Sequence, residues 1–417
     1  MSTRSLTALF LFALSLAVAA HKAKAEESTG GLAPEYTTVF GEIELEATGF
    51  FQDPQFQGQD HDDFSIAGEA TFLAEWADGD VVFRLTPFAR YSIADDRRTH
   101  ADVREAKVDV TADNWSFTVG ADTVFWGKTE VAHLVDIINQ TDQVEAIDDE
   151  ARLGQPMLRV GYLTEIGEIS GFFMPYFRER TFPGVSGRLR SNPPVNTALP
   201  DYDTELEEWT PSFALRFAGV IGDVDLGLSY FHGLGRDPSF FFDPAVGALR
   251  PHYERINQAG LDVQYTYDAT LFKAEAIFRE GQKNLAFREE NFVAATGGFE
   301  HTLFGFAESN ADLGLIAEYA WDSRGNDSLS NFQDDFIAGV RLALNDEEDT
   351  TLLLTGSVDT NDGSLGARLE AETRIGENWK AALEGQGFFN AGSGVNKSPL
   401  ADDSFVRLKL SYFFGGE

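Results

Sequence analysis

The sequence predicts an all-β fold, an antiparallel up-and-down β-barrel that closes on itself in a membrane, with about 18 strands (roughly 16 to 18). Three observations predict it. Apolar residues recur at every second position in segments of about ten residues, the spacing that sends alternate side chains to opposite faces of a strand. The connections between these segments alternate between tight and long. Finally, the chain has no cysteine and, past its amino terminus, no apolar run of membrane-helix length, so neither disulfides nor helical spans hold it together.

Composition narrows the class further. The chain carries 68 acidic against 32 basic residues, a net charge of −36, which makes nucleic acid and anionic lipid patches poor partners. Acidity on this scale can accompany disorder, but an aromatic fraction of 13% with 36 phenylalanines belongs to a chain with much apolar surface to place.

In chain order, Arg4, an apolar run from Leu6 to Ala20, and Ala23-Lys24-Ala25 before Glu26 read as a charged region, a core too short to span, and a small-x-small cleavage site. Residues 1–25 are therefore expected to be an export leader, and 26–417 a single barrel domain. The stretch between Glu26 and the first strand near Tyr36 is too short for a plug.

Strand alternation is plain in Phe64, Ile66, Gly68, Ala70, Phe72, Ala74 and Trp76, and again in Leu313, Leu315, Ala317, Tyr319 and Trp321. It returns in Phe336 to Leu344 and Leu365 to Ala371, and Val406, Leu408, Leu410, Tyr412 and Phe414 close the chain. Tight turns are expected near Ala77–Asp80, Ala112–Asn114, Gly167, Gly222, Tyr267–Thr270, Asn345–Asp349 and Gly376–Asn378. Most connections between them are long, including Asp122 to Pro156, Phe177 to Thr210 and His232 to Pro251. Short turns on one side and long loops on the other are the habit of outer-membrane barrels. At this strand number the interior is too wide for side chains to fill, which leaves an aqueous channel.

One stretch departs from the strand period. In "TVFWGKTEVAHLVDIINQTD", residues 123 to 142, Val131, Leu134, Val135 and Ile138 fall at i, i+3, i+4 and i+7, one face of a short helix.

The barrel pattern as a whole resembles the outer-membrane porins. The terminal "FVRLKLSYFF" looks like the last-strand signal read by the barrel-assembly machinery, although Gly415-Gly416-Glu417 follow it. "FWGKTEVAHLVDIINQTD" and "FRERTFPGVSGRLR" resemble porin-like proteobacterial outer-membrane proteins whose solutes are mostly uncharacterised. The resemblance implies an outer-membrane location in a Gram-negative bacterium, contact with lipid, lipopolysaccharide and the assembly machinery, a homotrimer as one assembly, and no cofactor. It also implies that the third long loop, with its helix, folds into the barrel as a constriction. Glu130, Asp136, Asp142, Glu145, Asp148, Asp149 and Glu150 would then meet water in the pore; a lid on the outer rim is the alternative.

If Leu158 and Val160 face lipid, Arg159 faces inward. The same reasoning turns Arg84, Arg90, Lys107, Arg216, Lys273, Arg279, Arg341, Arg368, Lys380, Arg407 and Lys409 toward the lumen, because a cation facing lipid at mid-membrane costs about 2–4 kcal/mol. An acidic loop opposite a basic wall would create a transverse field and favour small hydrophilic solutes, anionic ones among them. Arg178, Arg180, Arg188 and Arg190 in the fourth long loop offer bidentate donors for anions at the mouth. They serve equally well to pin that loop to neighbouring acid, and the amount of acid nearby favours the second reading.

Other function classes fit less well. An outer-membrane hydrolase needs a nucleophile beside an oriented histidine, yet none of the mature chain's histidines sits in a G-x-S-x-G context and "GVSGR" misses that motif. A metal site is not expected: "DTNDGS" at Asp359 to Ser364 has its glycine misplaced for a calcium loop and reads as a hairpin turn. A closed transporter for hydrophobic compounds would want an amino-terminal plug, and a soluble secreted β-protein would be recognised by solubility without detergent.

Overall fold

The computed structural model describes residues 33–390 and 398–415; the expected leader lies outside the described residues. The chain forms β1 (Tyr36–Phe50), β2 (Asp63–Trp76), β3 (Val81–Ser92), β4 (His100–Ala112), β5 (Trp115–Asp122), β6 (Gln155–Thr164) and β7 (Gly167–Met174). After β8 (Asp201–Tyr202) come β9 (Ser212–Ile221), β10 (Val224–Leu234), β11 (Ser239–Asp243), β12 (Ala248–Tyr253), β13 (Arg255–Tyr267), β14 (Thr270–Lys283) and β15 (Glu289–Leu303). The chain ends with β16 (Asp312–Asp322), β17 (Asp334–Ala343), β18 (Thr351–Asp359), β19 (Leu365–Ile375), β20 (Trp379–Phe389) and β21 (Phe405–Gly415).

All but β8, β11 and β12 join one 18-stranded antiparallel sheet. Each barrel strand pairs with its neighbours along the chain, and β21 pairs with β1 from Phe40 opposite Gly415 to Phe50 opposite Phe405. Closure satisfies backbone groups that lipid could not and leaves no edge. The strand number and the alternation of short and long connections agree with the period read from the sequence.

Register sorts the side chains. Phe72, Leu158, Leu215, Phe278, Leu354 and Leu410 point outward and are exposed on the isolated chain, as a lipid-facing surface requires. Aromatic pairs ring the short-turn end, with Trp115 against Tyr162 at 4.6 Å and Trp379 against Tyr412 at 4.9 Å between centroids, a girdle where membrane meets water. Along the β3–β4 ladder the register shifts between Thr86 and Pro87. Proline cannot donate to the ladder, and the facing strand bulges there, adding Arg104 as an extra residue that turns into the lumen.

Two features differ from the expectation. Residues 131–138 form no helix; the only helical elements among the described residues are three-residue turns at Glu207–Trp209, Phe306–Glu308, Gly325–Asp327 and Ser398–Leu400. A small second sheet also forms outside the wall, with β11 antiparallel to β12 and β12 parallel to β8. It organises the fourth and fifth long loops around Phe177, Tyr202 and Tyr253.

Candidate functional site

The third long loop, residues 123–154, contacts the inner wall, and carboxylates on the wall explain both its path and its lack of helix. Glu275 on β14 accepts hydrogen bonds from the backbone N–H groups of Lys128 (2.6 Å), Thr129 (3.1 Å) and Val135 (3.2 Å), and from the Thr129 hydroxyl (2.9 Å). Glu318 on β16 accepts one from the N–H of Glu130 at 2.8 Å. Within the loop, Asn139 takes the N–H of Val124 and Asp136 that of Trp126. A helix would need the Val135 donor for an i→i−4 bond. A charged acceptor outcompetes it, in a stretch whose β-branched residues, Asp and Asn favour helix weakly.

The apolar positions that suggested a helix still find apolar partners. Val135 and Ile138, with Ile137, are fully buried against Trp126, Met157, Phe172, Phe231, Ile256, Ile277 and Phe292, and Leu134 packs beside them. Val131 lies against Ala132, Ala320 and Ile337. Burying each such side chain contributes roughly 1.5–3 kcal/mol. Gly260 on β13 makes room for this contact: a Cβ there would sit 3.2 Å from the Val135 Cγ1. Arg236, buried between Phe177 and Phe231, donates twice to the Ile138 carbonyl at 2.7 and 3.0 Å and clamps the loop.

The loop carboxylates meet partners at several points of the wall. Glu130 pairs with Arg341 (2.6 Å) and Lys273 (3.6 Å), Glu145 with Arg90 (2.8 Å), and Asp148 with Arg368 (2.6 Å). Asp136 stays within the loop on Arg152 (2.6 Å). Asp142 takes Arg104 at 2.7 Å and the Thr181 hydroxyl at 2.7 Å. Burial opposes ionisation of Asp142, but the His100 imidazole 3.4 Å away and the charge of Arg104 outweigh it and hold the carboxyl at about 2. Asp149 reaches Arg180 at 3.9 Å. Glu150 is 3.9 Å from Arg368; enclosure in the barrel and the neighbouring Asp148 push its carboxyl up to about 7.

By register, all twelve wall bases named above share the inward face, and each has an acidic neighbour. Arg84 and Lys107 hold Glu105, Arg159 holds Glu168, Arg216 holds Asp262, and Arg279 holds Asp237. Lys380 pairs with Glu372, while Arg407 and Lys409 share Glu384. A direct ion pair cancels most of the field an acidic loop and a basic wall would set up across a gap.

At the mouth, Arg178 binds Asp102 (2.9 Å) and Arg180 binds Asp237 (2.8 Å). Arg188 binds Asp403 (2.6 Å), and Arg190 donates to the carbonyls of Val185 and Ser191. Arg180 and Arg188 tie the fourth loop to other loops, Arg178 ties it to β4 and Arg190 stays within it, with only Arg180 reaching the third loop's acid.

An open cleft remains inside the barrel, lined by Glu69, Thr86, Arg104 and Glu105 of the wall and by Thr123, Val124, Phe125, His133, Glu150 and Arg152 of the loop. Glu275, Glu318 and Arg236 are the positioning residues that sequence reasoning missed. The two glutamates sit on the inward parity of their strands, the signal used for the bases but not applied to acids.

Among the described residues the histidines form no hydrolase triad. His252 lies between Asp201 and Asp203, the nearby Ser239 hydroxyl is spent on Glu254, and His100 faces Asp142. The Asp359–Ser364 segment is the β18–β19 turn, with Gly363 at φ +73°.

No protein-family model matches the sequence, and no curated protein does. Solved structures do resemble the fold. Pseudomonas aeruginosa OpdK, solved with vanillate, gives a TM-score of 0.53 at 10% identity over 92% of this chain and 100% of that one. Acinetobacter baumannii OccAB3 gives 0.52 at 11% over 91% and 99%, and Pseudomonas aeruginosa OccK11 (OpdR) gives 0.52 at 8% over 94% and 100%. These are outer-membrane porins, and at such identities what they share with this chain is the barrel.

Proposed function

We propose that the protein is an outer-membrane channel for the passive diffusion of small hydrophilic solutes, with the cleft between the third loop and the β2–β4 wall as its passage. The observation that carries this reading is the division of the barrel surface: apolar side chains cover the outside, while charged groups and an open cleft occupy the inside. A lumen built this way lowers the barrier for polar solutes and offers nothing to a hydrophobic one. The third loop acts as the constriction, set by Glu275, Glu318 and the apolar cluster beneath it. The work of such a protein is permeation, and no residue is given a catalytic role. Its surroundings are outer-membrane lipid and lipopolysaccharide.

The test is single-channel recording of the refolded chain, lacking residues 1–25, in a planar bilayer. Discrete conductance steps are expected. Correctly folded protein that gives none would overturn the reading.

A further inference from the structure

The pairing pattern in the lumen is unequal between the two signs of charge. Every wall base has a carboxylate within ion-pair distance, and the two arginines lining the cleft are neutralised from behind, Arg104 by Asp102 and Asp142 and Arg152 by Asp136. The acids are not all matched. Glu69 lines the cleft and has no ion-pair partner among the described residues, and its register partner across the β1–β2 ladder is another glutamate, Glu42, equally without one. The cations nearest Glu42 are committed elsewhere, Lys380 to Glu372 and Lys409 to Glu384. Across the cleft, Arg368 is shared among Asp148, Glu370 and Glu150, one positive charge for three carboxyls.

Like charges directly opposite on neighbouring strands destabilise a sheet, so stability does not account for the Glu42–Glu69 pair. In a passage walled by low-dielectric protein, unmatched charge attracts counter-ions and repels co-ions. We propose that the channel passes small cations and cationic solutes in preference to anions, an inference that rests on the diffusion-channel reading above.

The test is the reversal potential of the refolded chain under a potassium chloride gradient. The expected result is a several-fold preference for potassium over chloride that falls in the Glu42→Gln/Glu69→Gln variant. Open channels with equal or anion-favouring permeability would overturn this inference and leave the channel reading intact, as would a preference unchanged in the folded double variant. If that variant fails to fold, the sign of the wild-type potential still decides. Absence of channels would count against the channel reading itself.

Discussion

The two halves of the barrel wall treat the same loop differently. From β6 to β15, inward positions include Met157, Phe172, Ala214, Phe231, Ile256, Ile277 and Phe292, and the loop lies on them as part of a dry core. From β18 through the β21–β1 seam to β4, inward positions carry Arg368, Glu384, Glu46, Arg90 and Glu105, and the loop carboxylates Asp148 and Glu145 pair with Arg368 and Arg90 there. The first half fixes where the loop sits; the second leaves room beside it. Apolar contact is non-directional and excludes water, whereas ion pairs tolerate water between them. A lumen that must be both braced and open uses one kind of contact on each side.

Breaking the dry half should have the largest effect. Ile138→Asp puts an unpaired carboxylate where Ile138 is fully buried, a change costing several kcal/mol. We expect a lower unfolding temperature together with larger conductance as the loop leaves the wall; a folded variant with wild-type conductance would show that the loop does not limit flow. Next comes Glu275→Ala, which strands three backbone donors at about 1–3 kcal/mol each. It should increase open-channel noise more than mean current, with Glu275→Gln intermediate.

Acid should reach the paired carboxylates of both halves last. The carboxyls of Asp142 and Asp237 are both held at about 2; in each case burial opposes the charge, and it is outweighed at Asp237 by Arg180 and Arg279. A depressed carboxyl pKa contributes stability above its ordinary value, and that contribution fades only as pH falls toward 2. Thermal stability should therefore decline mainly below about pH 4; removal of either carboxylate should lower stability at neutral pH and make the acid decline shallower. The smallest effect concerns Glu150, which faces Asp148, Arg368, Glu370 and Glu130. Its carboxyl gains charge as pH rises through about 7, so cation preference should step up modestly across neutral pH. Glu150→Gln should remove the step, and a step that survives would assign it to another group.

The barrel was legible in the sequence because a two-residue period repeats in strand after strand, and lipid on one face enforces it. The inward parity of the bases followed from the same rule. The loop's conformation was not legible. Val131, Leu134, Val135 and Ile138 carry a helical spacing, but Glu275 lies well over a hundred residues away, and only closure of the barrel brings its carboxylate to the Val135 N–H. The sheet of β8, β11 and β12 was missed for a related reason. Phe240-Phe241-Phe242 is a continuous apolar run with no alternation, and its partner β8 is two residues long.

The third loop also has a mechanical meaning. Glu145 is held at Arg90 on β3 and Glu130 at Lys273 on β14, and eight strand steps of an 18-strand ring separate those points. They lie almost across a diameter. A hoop of strands resists stretching along its hydrogen bonds but flattens easily into an oval, and a chord fastened at both ends is the part that opposes flattening. The loop therefore works as a tie-rod, keeping the cross-section round when the surrounding bilayer pushes from the side.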